Sequence, residues 1–313
     1  MRNCILFLLL IMLTSCSGVK NVERPFMENG EAGYFREVRD GLKIFVYEHL
    51  PSGSFSNTIY IISGITGINH NAEMEIIEKL GNNENRVVVI HPRGTGYSEG
   101  KRGDGKSLKE FIGDYVEIIR SDDYYNDSTK KFILYGHSMS CAIAIMVGNE
   151  LGRRDAVILV NPPCKLKPAK GMSPGFNEYL RYIAYYIFAP HKPVVNMAGD
   201  PSLIEDEQDR KEAESRNSDT LLVKYFSMHY MKESKRAMDA MVGNGRKADY
   251  PLLLLYGEND NLVDKAGCDE LFTAWGCKDK SYEIIKGGSH GRSTVLNGID
   301  LILSFLQTKS LFL

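Results

Sequence analysis

Short runs of aliphatic and β-branched residues recur along the chain, each closed by a turn residue: "KIFVYE" (43–48), "NTIYIIS" (57–63), "RVVVIH" (86–91), "KFILYG" (131–136) and "AVILVN" (156–161). Runs this short that are apolar almost throughout predict strands buried on both faces. "PLLLLYG" (251–257) and "SYEIIKG" (281–287) add two more. Between them, apolar residues at helical spacing predict helices over 72–80, 108–124, 139–151, 266–275 and 294–306. Strands alternating with helix-length segments predict an α/β fold, with a mostly parallel central sheet and helices on both faces.

One interval breaks the rhythm. Residues 162–250 contain no convincing buried strand; "YLRYIAYYIF", "IEDEQDRKEAE" and "LLVKYFSMHYMKESKRAMDAMV" follow one another there. In the last of these, Leu222, Tyr225, Phe226 and Met228 to Met231 recur near helical spacing. An insert of this length between sheet strands predicts a helical lid over the end of the sheet where α/β proteins place ligands. The domain boundaries that follow are 16–161 and 251–313 for the two parts of the core and 162–250 for the lid. A helix over "FNEYLRYIAYYIF" aligns Tyr179, Tyr182, Ile183 and Tyr186 on one face, which would either meet an acyl chain or pack the lid on the core. The acidic run at 205–214 reads as a solvated helix face.

The first residues, "MRNCILFLLLIMLTSCSGVK", stand apart from the fold. Arg2 precedes an apolar run over 5–13, too short to span a bilayer and suited to the central region of a secretion signal. Leu13-Thr14-Ser15-Cys16 resembles the lipobox of bacterial lipoproteins. The resemblance implies removal of residues 1–15 and lipid attachment at Cys16, which several acyl chains would make a stable anchor. The mature chain is then expected in the cell envelope, membrane-anchored and facing the periplasm or the exterior. An ordinary signal peptide or a buried strand is the alternative.

Charge and cysteine content narrow the partners. The chain of 313 residues carries 38 basic and 40 acidic side chains and no basic stripe, so nucleic acid has no electrostatic footprint. A small neutral or amphipathic ligand fits better. Beyond Cys4 and Cys16 there remain Cys141, Cys164, Cys268 and Cys277, in no zinc-binding spacing and no C-x-x-C pair. Cys268 and Cys277 could pair in an oxidising compartment or stay as thiols; Cys141 reads as a small core residue. Neither a metal nor a cofactor is expected.

Three serines compete for chemistry. "GYSEG" around Ser98 and "GGSHG" around Ser289 match G-x-S-x-G, whereas "GHSMS" around Ser138 departs from it at Ser140. A nucleophile elbow needs a strand that ends abruptly, a tight turn carrying the serine, and an immediate helix whose first N–H groups can meet an oxyanion. Ser138 has all three in "FILYGHSMSCAIAIMVGNEL". Ser98 enters a glycine-rich loop instead and reads as a turn residue. Ser289 lies between strand and helix, but the only histidine after it is its neighbour His290, which cannot fold back onto it easily.

The partners of Ser138 occur downstream in the order acid, then histidine. His191 and His229 fall in the lid, while His290 sits in a glycine-flanked loop after the last strand and is the expected base. "LLLLYGENDNLVD" offers Glu258, Asp260 and Asp264 past a strand end. Asp260 lies at the depth where a carboxylate orients an imidazole, and Asp264 is the alternative. His91 and His137 are read as packing or hydrogen-bonding residues.

Together these residues resemble the α/β-hydrolase family, and within it the monoacylglycerol lipase and lysophospholipase group, also called serine aminopeptidase-type hydrolases. "HPRGTGYSEG" is similar to that group's D-x-R-G-H-G-x-S loop, "GHSMS" to its GHSMGG elbow, and "DPSLI" (200–204) and "PLLLLYGENDNLVD" to its lid-end and acid segments. The resemblance implies Ser138 as nucleophile, Asp260 as acid and His290 as base. It also places Ser63-Gly64 where the group has His-Gly, so that the N–H groups of Ile65 and Met139 would form the oxyanion hole. Ser63, His91 and Ser140 replace the group's histidine, aspartate and glycine, which alters the walls of the site more than its mechanism. The implied activity is two-step cleavage of a carboxylic ester, monoacylglycerol- or lysophospholipid-like, through an acyl-enzyme. An aminopeptidase of the same build, a thioesterase and a non-catalytic binding protein are the alternatives.

Overall fold

The computed structural model describes residues 33–63, 70–81, 85–105, 107–168, 175–198, 200–204 and 207–310. Residues 1–15, Cys16 and Ile65 lie outside them. The described chain begins with β1 (Gly33–Glu37), β2 (Lys43–His49), β3 (Asn57–Ile62), α1 (His70–Leu80), β4 (Asn85–Ile90), α2 (Leu108–Arg120), β5 (Lys131–His137), α3 (Ser140–Glu150) and β6 (Ala156–Val160). It then leaves the sheet through α4 (Phe176–Phe188), β7 (Pro193–Asn196), α5 (Glu207–Ser218), β8 (Tyr225–Ser227), α6 (Met228–Asp239) and α7 (Met241–Gly245). It returns as β9 (Leu252–Gly257), α8 (Lys265–Ala274), β10 (Lys280–Ile285), α9 (Arg292–Asn297) and α10 (Ile299–Ser310).

The eight-stranded sheet has the order β1-β2-β4-β3-β5-β6-β9-β10. Pairing is antiparallel between β1, β2 and β4 and parallel from β4 onward. Side chains alternate across this sheet with the period of two that strand geometry imposes. Tyr60, Ile62, Phe132, Leu134, Val157, Leu159, Leu252 and Leu254 face one layer, with α2, α3, α6 and α8 over them. Ile59, Ile61, Ile133, Ile158, Leu253 and Leu255 face the other, under α1, α9 and α10. Buried on both sides, the strands need apolar residues at consecutive positions, which is why they read as continuous hydrophobic runs. The chain moves outward from β3 to β4 and then back across to β5, so a crevice opens at the carboxyl ends of β3 and β5.

Several elements differ from the sequence-based expectation. β1 pairs with β2 although "GYFRE" is partly polar, because at the sheet edge it has a single strand neighbour and none of its residues is fully buried. The helix expected over 108–124 stops at Arg120, where the Asp122 carboxylate turns inward to accept from buried Arg86 (2.7 Å) and from the Tyr60 hydroxyl. The helix expected over 294–306 is broken at Gly298 into α9 and α10. In the inserted stretch, residues 225–227 do not continue a helix. They form β8, antiparallel to β7 with Val195 opposite Phe226, because Phe226 and Ser227 are buried while Tyr225 is exposed. On α4, Tyr179, Ile183 and Tyr186 are exposed, Tyr182 is half-buried and Tyr185 turns inward, so most of the aligned face is turned to solvent.

Candidate active site

The elbow is built by close approach of β5 and α3. A Cβ at Gly136 would lie 2.9 Å from the Cα of Cys141 and from the Ser140 carbonyl, so only glycine fits there. Ser138 follows two residues later with φ 55°, a left-handed backbone that is uncommon outside glycine. Ser140 is buried, and its Oγ accepts from the His137 N–H and donates to the His137 carbonyl, both at 2.7 Å. The hydroxymethyl that departs from the glycine pattern thus closes the turn on itself. Met139 has helical backbone angles just ahead of α3, placing its N–H in the turn where such groups have no intrahelical acceptor.

Ser138 Oγ lies 2.8 Å from His290 Nε2, and His290 Nδ1 lies 2.8 Å from Asp260 Oδ2. An ionised carboxylate only accepts, so Nδ1 carries the proton and Nε2 is left to accept from the serine hydroxyl. The other carboxylate oxygen, Oδ1, accepts from the N–H groups of Leu262 and Val263, both at 2.8 Å. Burial pushes the Asp260 carboxyl up, but the hydrogen bond from His290, with those from the Val263 and Leu262 N–H groups, outweighs it and holds the group below its ordinary 3.8. The acid is therefore anionic at neutral pH although its residue is 1% exposed. At Gly257, on the strand leading to the acid, a Cβ would meet Thr294 Oγ1 at 2.2 Å and the Ser289 carbonyl at 2.5 Å. Glycine there lets the acid strand and the histidine loop approach.

The competing residues have other employment. Ser98 Oγ accepts from the Phe45 N–H at 2.8 Å and donates to the His91 carbonyl at 2.7 Å, which ties β2 to the loop after β4. Ser98→Ala is expected to lower stability by about 1–3 kcal/mol, since the buried Phe45 N–H loses its acceptor. Turnover per folded molecule should be unchanged; thermal melts beside active-site titration check both. Ser289 Oγ is 2.6 Å from Ser293 Oγ and accepts from the Gly291 N–H, a loop closure rather than an approach to any imidazole. Asp264 caps α8 by accepting from the Ala266 N–H, and Glu258 accepts from the Gly287 N–H. His191 and His229 pack with ring centroids 4.4 Å apart and tilted by 37°, and His191 Nδ1 lies 3.2 Å from the Asp104 carboxylate. His91 is fully buried between Phe45 and Tyr97, and its Nδ1 accepts from the Tyr97 N–H. The Cys141, Cys164, Cys268 and Cys277 thiols are all free. No group of metal-ligating side chains occurs among the described residues.

Two residues that the sequence reading did not single out also reach this region. Lys167 Nζ donates to the Asp260 carbonyl, and the fully buried Asn161 joins the acid strand to the histidine loop. An Asn at a strand end before "PP" is the one local sign of the second; for the lysine there is none.

A family model described as serine aminopeptidase, S33 (Hydrolase_4) matches residues 55–293, well over half of the chain. The chain belongs to this family. This S33-family hydrolase is 25% identical over 214 residues to the monoacylglycerol lipase of Mycolicibacterium smegmatis, covering 65% of this chain and 70% of the relative. It is 27% identical over 246 residues to the phospholipase YtpA of Bacillus subtilis, covering 74% and 86%. Among solved structures it resembles a soluble variant of the monoglyceride lipase of Saccharomyces cerevisiae in complex with a substrate analog, with a TM-score of 0.74 at 15% identity over 92% of this chain and 99% of the other. At that identity the likeness speaks for the fold, which is the α/β-hydrolase fold.

Proposed function

We propose that this S33-family member is a serine hydrolase of carboxylic esters, with Ser138 as nucleophile, His290 as general base and Asp260 as the orienting acid. The observation that carries the reading is the unbroken Ser138–His290–Asp260 chain of hydrogen bonds, 2.8 Å at each link, set on an elbow with a left-handed serine. His290 Nε2 takes the hydroxyl proton as Ser138 Oγ attacks the ester carbonyl. The N–H groups of Met139 and Ile65 are assigned to the oxyanion. The imidazolium, opposite the Asp260 carboxylate, then protonates the leaving alcohol. Water, deprotonated by the same Nε2, releases the acid from the acyl-enzyme.

For the substrate we propose a monoacylglycerol- or lysophospholipid-like ester, in keeping with the names of both relatives. The aminopeptidase alternative needs carboxylates turned toward a substrate amino group. Glu207 and Glu214 on α5 are instead exposed and paired with Lys211 and Arg210, one turn away. A series of monoacyl esters run beside aminoacyl arylamides tests the choice. The kcat/KM is expected to rise with chain length by up to roughly 15-fold for every two methylenes buried, at about 0.8 kcal/mol each. A preference for acetyl esters would make the protein a short-chain esterase, and cleavage of arylamides alone would move it to the peptidase reading.

We propose further that Cys16 carries a lipid anchor and that the chain works at a membrane of the cell envelope. The outward apolar face of α4, where Ile187 and Phe188 are also exposed, suits a protein held near amphiphiles. Wild-type protein is expected in the membrane fraction and Cys16→Ala in the soluble fraction; soluble wild type would leave only an ordinary signal peptide.

A further inference from the structure

Among the described residues, those other than glycine with a positive φ are Ser138, at 55°, and Asn161, at 49°. They stand side by side. β5 and β6 run parallel with His137 opposite Val160, and the Ser138 N–H donates to the Val160 carbonyl at 2.8 Å. Residues held in sparsely populated backbone regions persist where their surroundings over-determine them, and they gather at functional sites. For Ser138 the reason is the elbow. Asn161 precedes Pro162, which opposes helical backbone at the residue before it, so its conformation must be held from outside the local chain.

Four hydrogen bonds do this. The Asn161 backbone N–H donates to the Leu255 carbonyl at 2.9 Å, and its Oδ1 accepts from the Gly257 N–H at 2.8 Å. Its Nδ2 donates to the Ser289 carbonyl at 2.9 Å and to the His290 carbonyl at 3.3 Å. The same His290 carbonyl accepts from His137 Nε2 at 2.8 Å, which fixes the proton of that imidazole on Nε2. His290 itself sits in "KGGSHGR", where glycines on both sides leave little local stiffness to aim its ring. The two left-handed residues therefore hold one histidine from opposite ends, Ser138 at the imidazole and Asn161 at the main chain.

We propose that Asn161 and His137 form a clamp on the His290 carbonyl that positions the base between Ser138 and Asp260. The proposal rests on the triad reading above. Through Gly257 the Asn161 amide also joins the strand that delivers Asp260, and this fully buried side chain adds to the direct bonds between the two loops, from the Asn259 N–H to the Gly288 carbonyl and from the Gly287 N–H to Glu258. Neither residue touches the reacting atoms; both act through His290.

Three variants test the clamp. Asn161→Gly keeps a residue at ease with positive φ and removes the side-chain bonds. Asn161→Asp keeps the acceptor for Gly257 but turns a carboxylate oxygen toward two carbonyls. His137→Phe, at a half-buried position, removes the second donor and leaves Asn161 in place. Measured per fluorophosphonate-titratable site, each Asn161 variant is expected to lose about 10- to 100-fold in kcat with KM within about threefold, as a misaimed base would give. His137→Phe is expected to lose several-fold, and the His137→Phe/Asn161→Gly pair to depart from additivity because both hold one atom. Should neither Asn161 variant fold, His137→Phe decides alone. A kcat per titrated site at the wild-type value in the variants that fold, whatever their melting temperature, overturns the clamp. Labelling of wild-type Ser138 by the fluorophosphonate tests the triad separately, so the two readings can fail independently.

Discussion

Ser138→Ala is expected to lower kcat/KM for esters by about 10⁴- to 10⁶-fold and to abolish fluorophosphonate labelling. The size follows from the geometry. Ser138 Oγ is the atom within reach of His290 Nε2, and Ser98 and Ser289 are occupied by bonds to Phe45, His91, Ser293 and Gly291. What remains after its loss is binding and oxyanion stabilisation, which act on water far less effectively than on a positioned alkoxide. The substitution removes one partly exposed hydroxyl and keeps the backbone, so the melting temperature should stay within a few degrees, on the order of what a surface change costs. Mass spectrometry of the labelled peptide checks the assignment directly. A probe adduct at Ser98 or Ser289 would sink it.

Asp260→Asn is expected to cost about 10⁴-fold in kcat, more than loss of a charge alone would suggest. In the wild type, Asp260 Oδ1 is pinned by the Leu262 and Val263 N–H groups, leaving Oδ2 to accept from His290 Nδ1. In the asparagine variant those two donors keep the amide oxygen, so the amide NH₂ faces the imidazole. His290 must then accept at Nδ1 and carry its proton on Nε2, where it can no longer take the proton of Ser138. Activity retained in full would transfer the acid role to Asp264, which the bond to the Ala266 N–H argues against. A second readout follows from linkage. A carboxyl whose folded value is depressed contributes stability that is fully present above its unfolded value near 3.8 and is lost as pH falls through the folded value. The stability advantage of wild type over Asp260→Asn should therefore be constant near neutrality and shrink below pH ~4. An advantage that does not change on acidification would mean the carboxylate is not held ionised by its partners.

The sheet was readable because strands buried on both faces have a signature carried by consecutive residues. "RVVVIH" and "AVILVN" are strands wherever they meet a second layer, and β4 and β6 lie where those runs predict. The inserted stretch was less legible. "KYFSMHYM" has helical spacing on paper, yet Tyr225 to Ser227 pair with β7, since at three residues the partner across the ladder decides and not the period. Helix 108–124 ends early for a similar reason: Asp122 is claimed by Arg86 and Tyr60, 36 and 62 residues away.

The elbow, and the chain order of the proposed Ser138, Asp260 and His290 trio, were legible in the sequence alone. A strand, a tight turn and a helix are all encoded within some twenty residues around Ser138, and the requirement for close approach at Gly136 is local too. Among the three neighbouring carboxylates the sequence favoured Asp260 by its depth in the loop but left Asp264 open. The tertiary structure separates them, because the His290 loop, 30 residues on, rests against Asp260 while Asp264 caps a helix and Glu258 accepts from Gly287. Asn161 is the extreme case, because its bonds reach 96 and 128 residues ahead and its backbone angle is held by them. Local sterics and periodicity can be read along a chain; which donor meets which acceptor is decided only where distant segments share the space of a few ångströms.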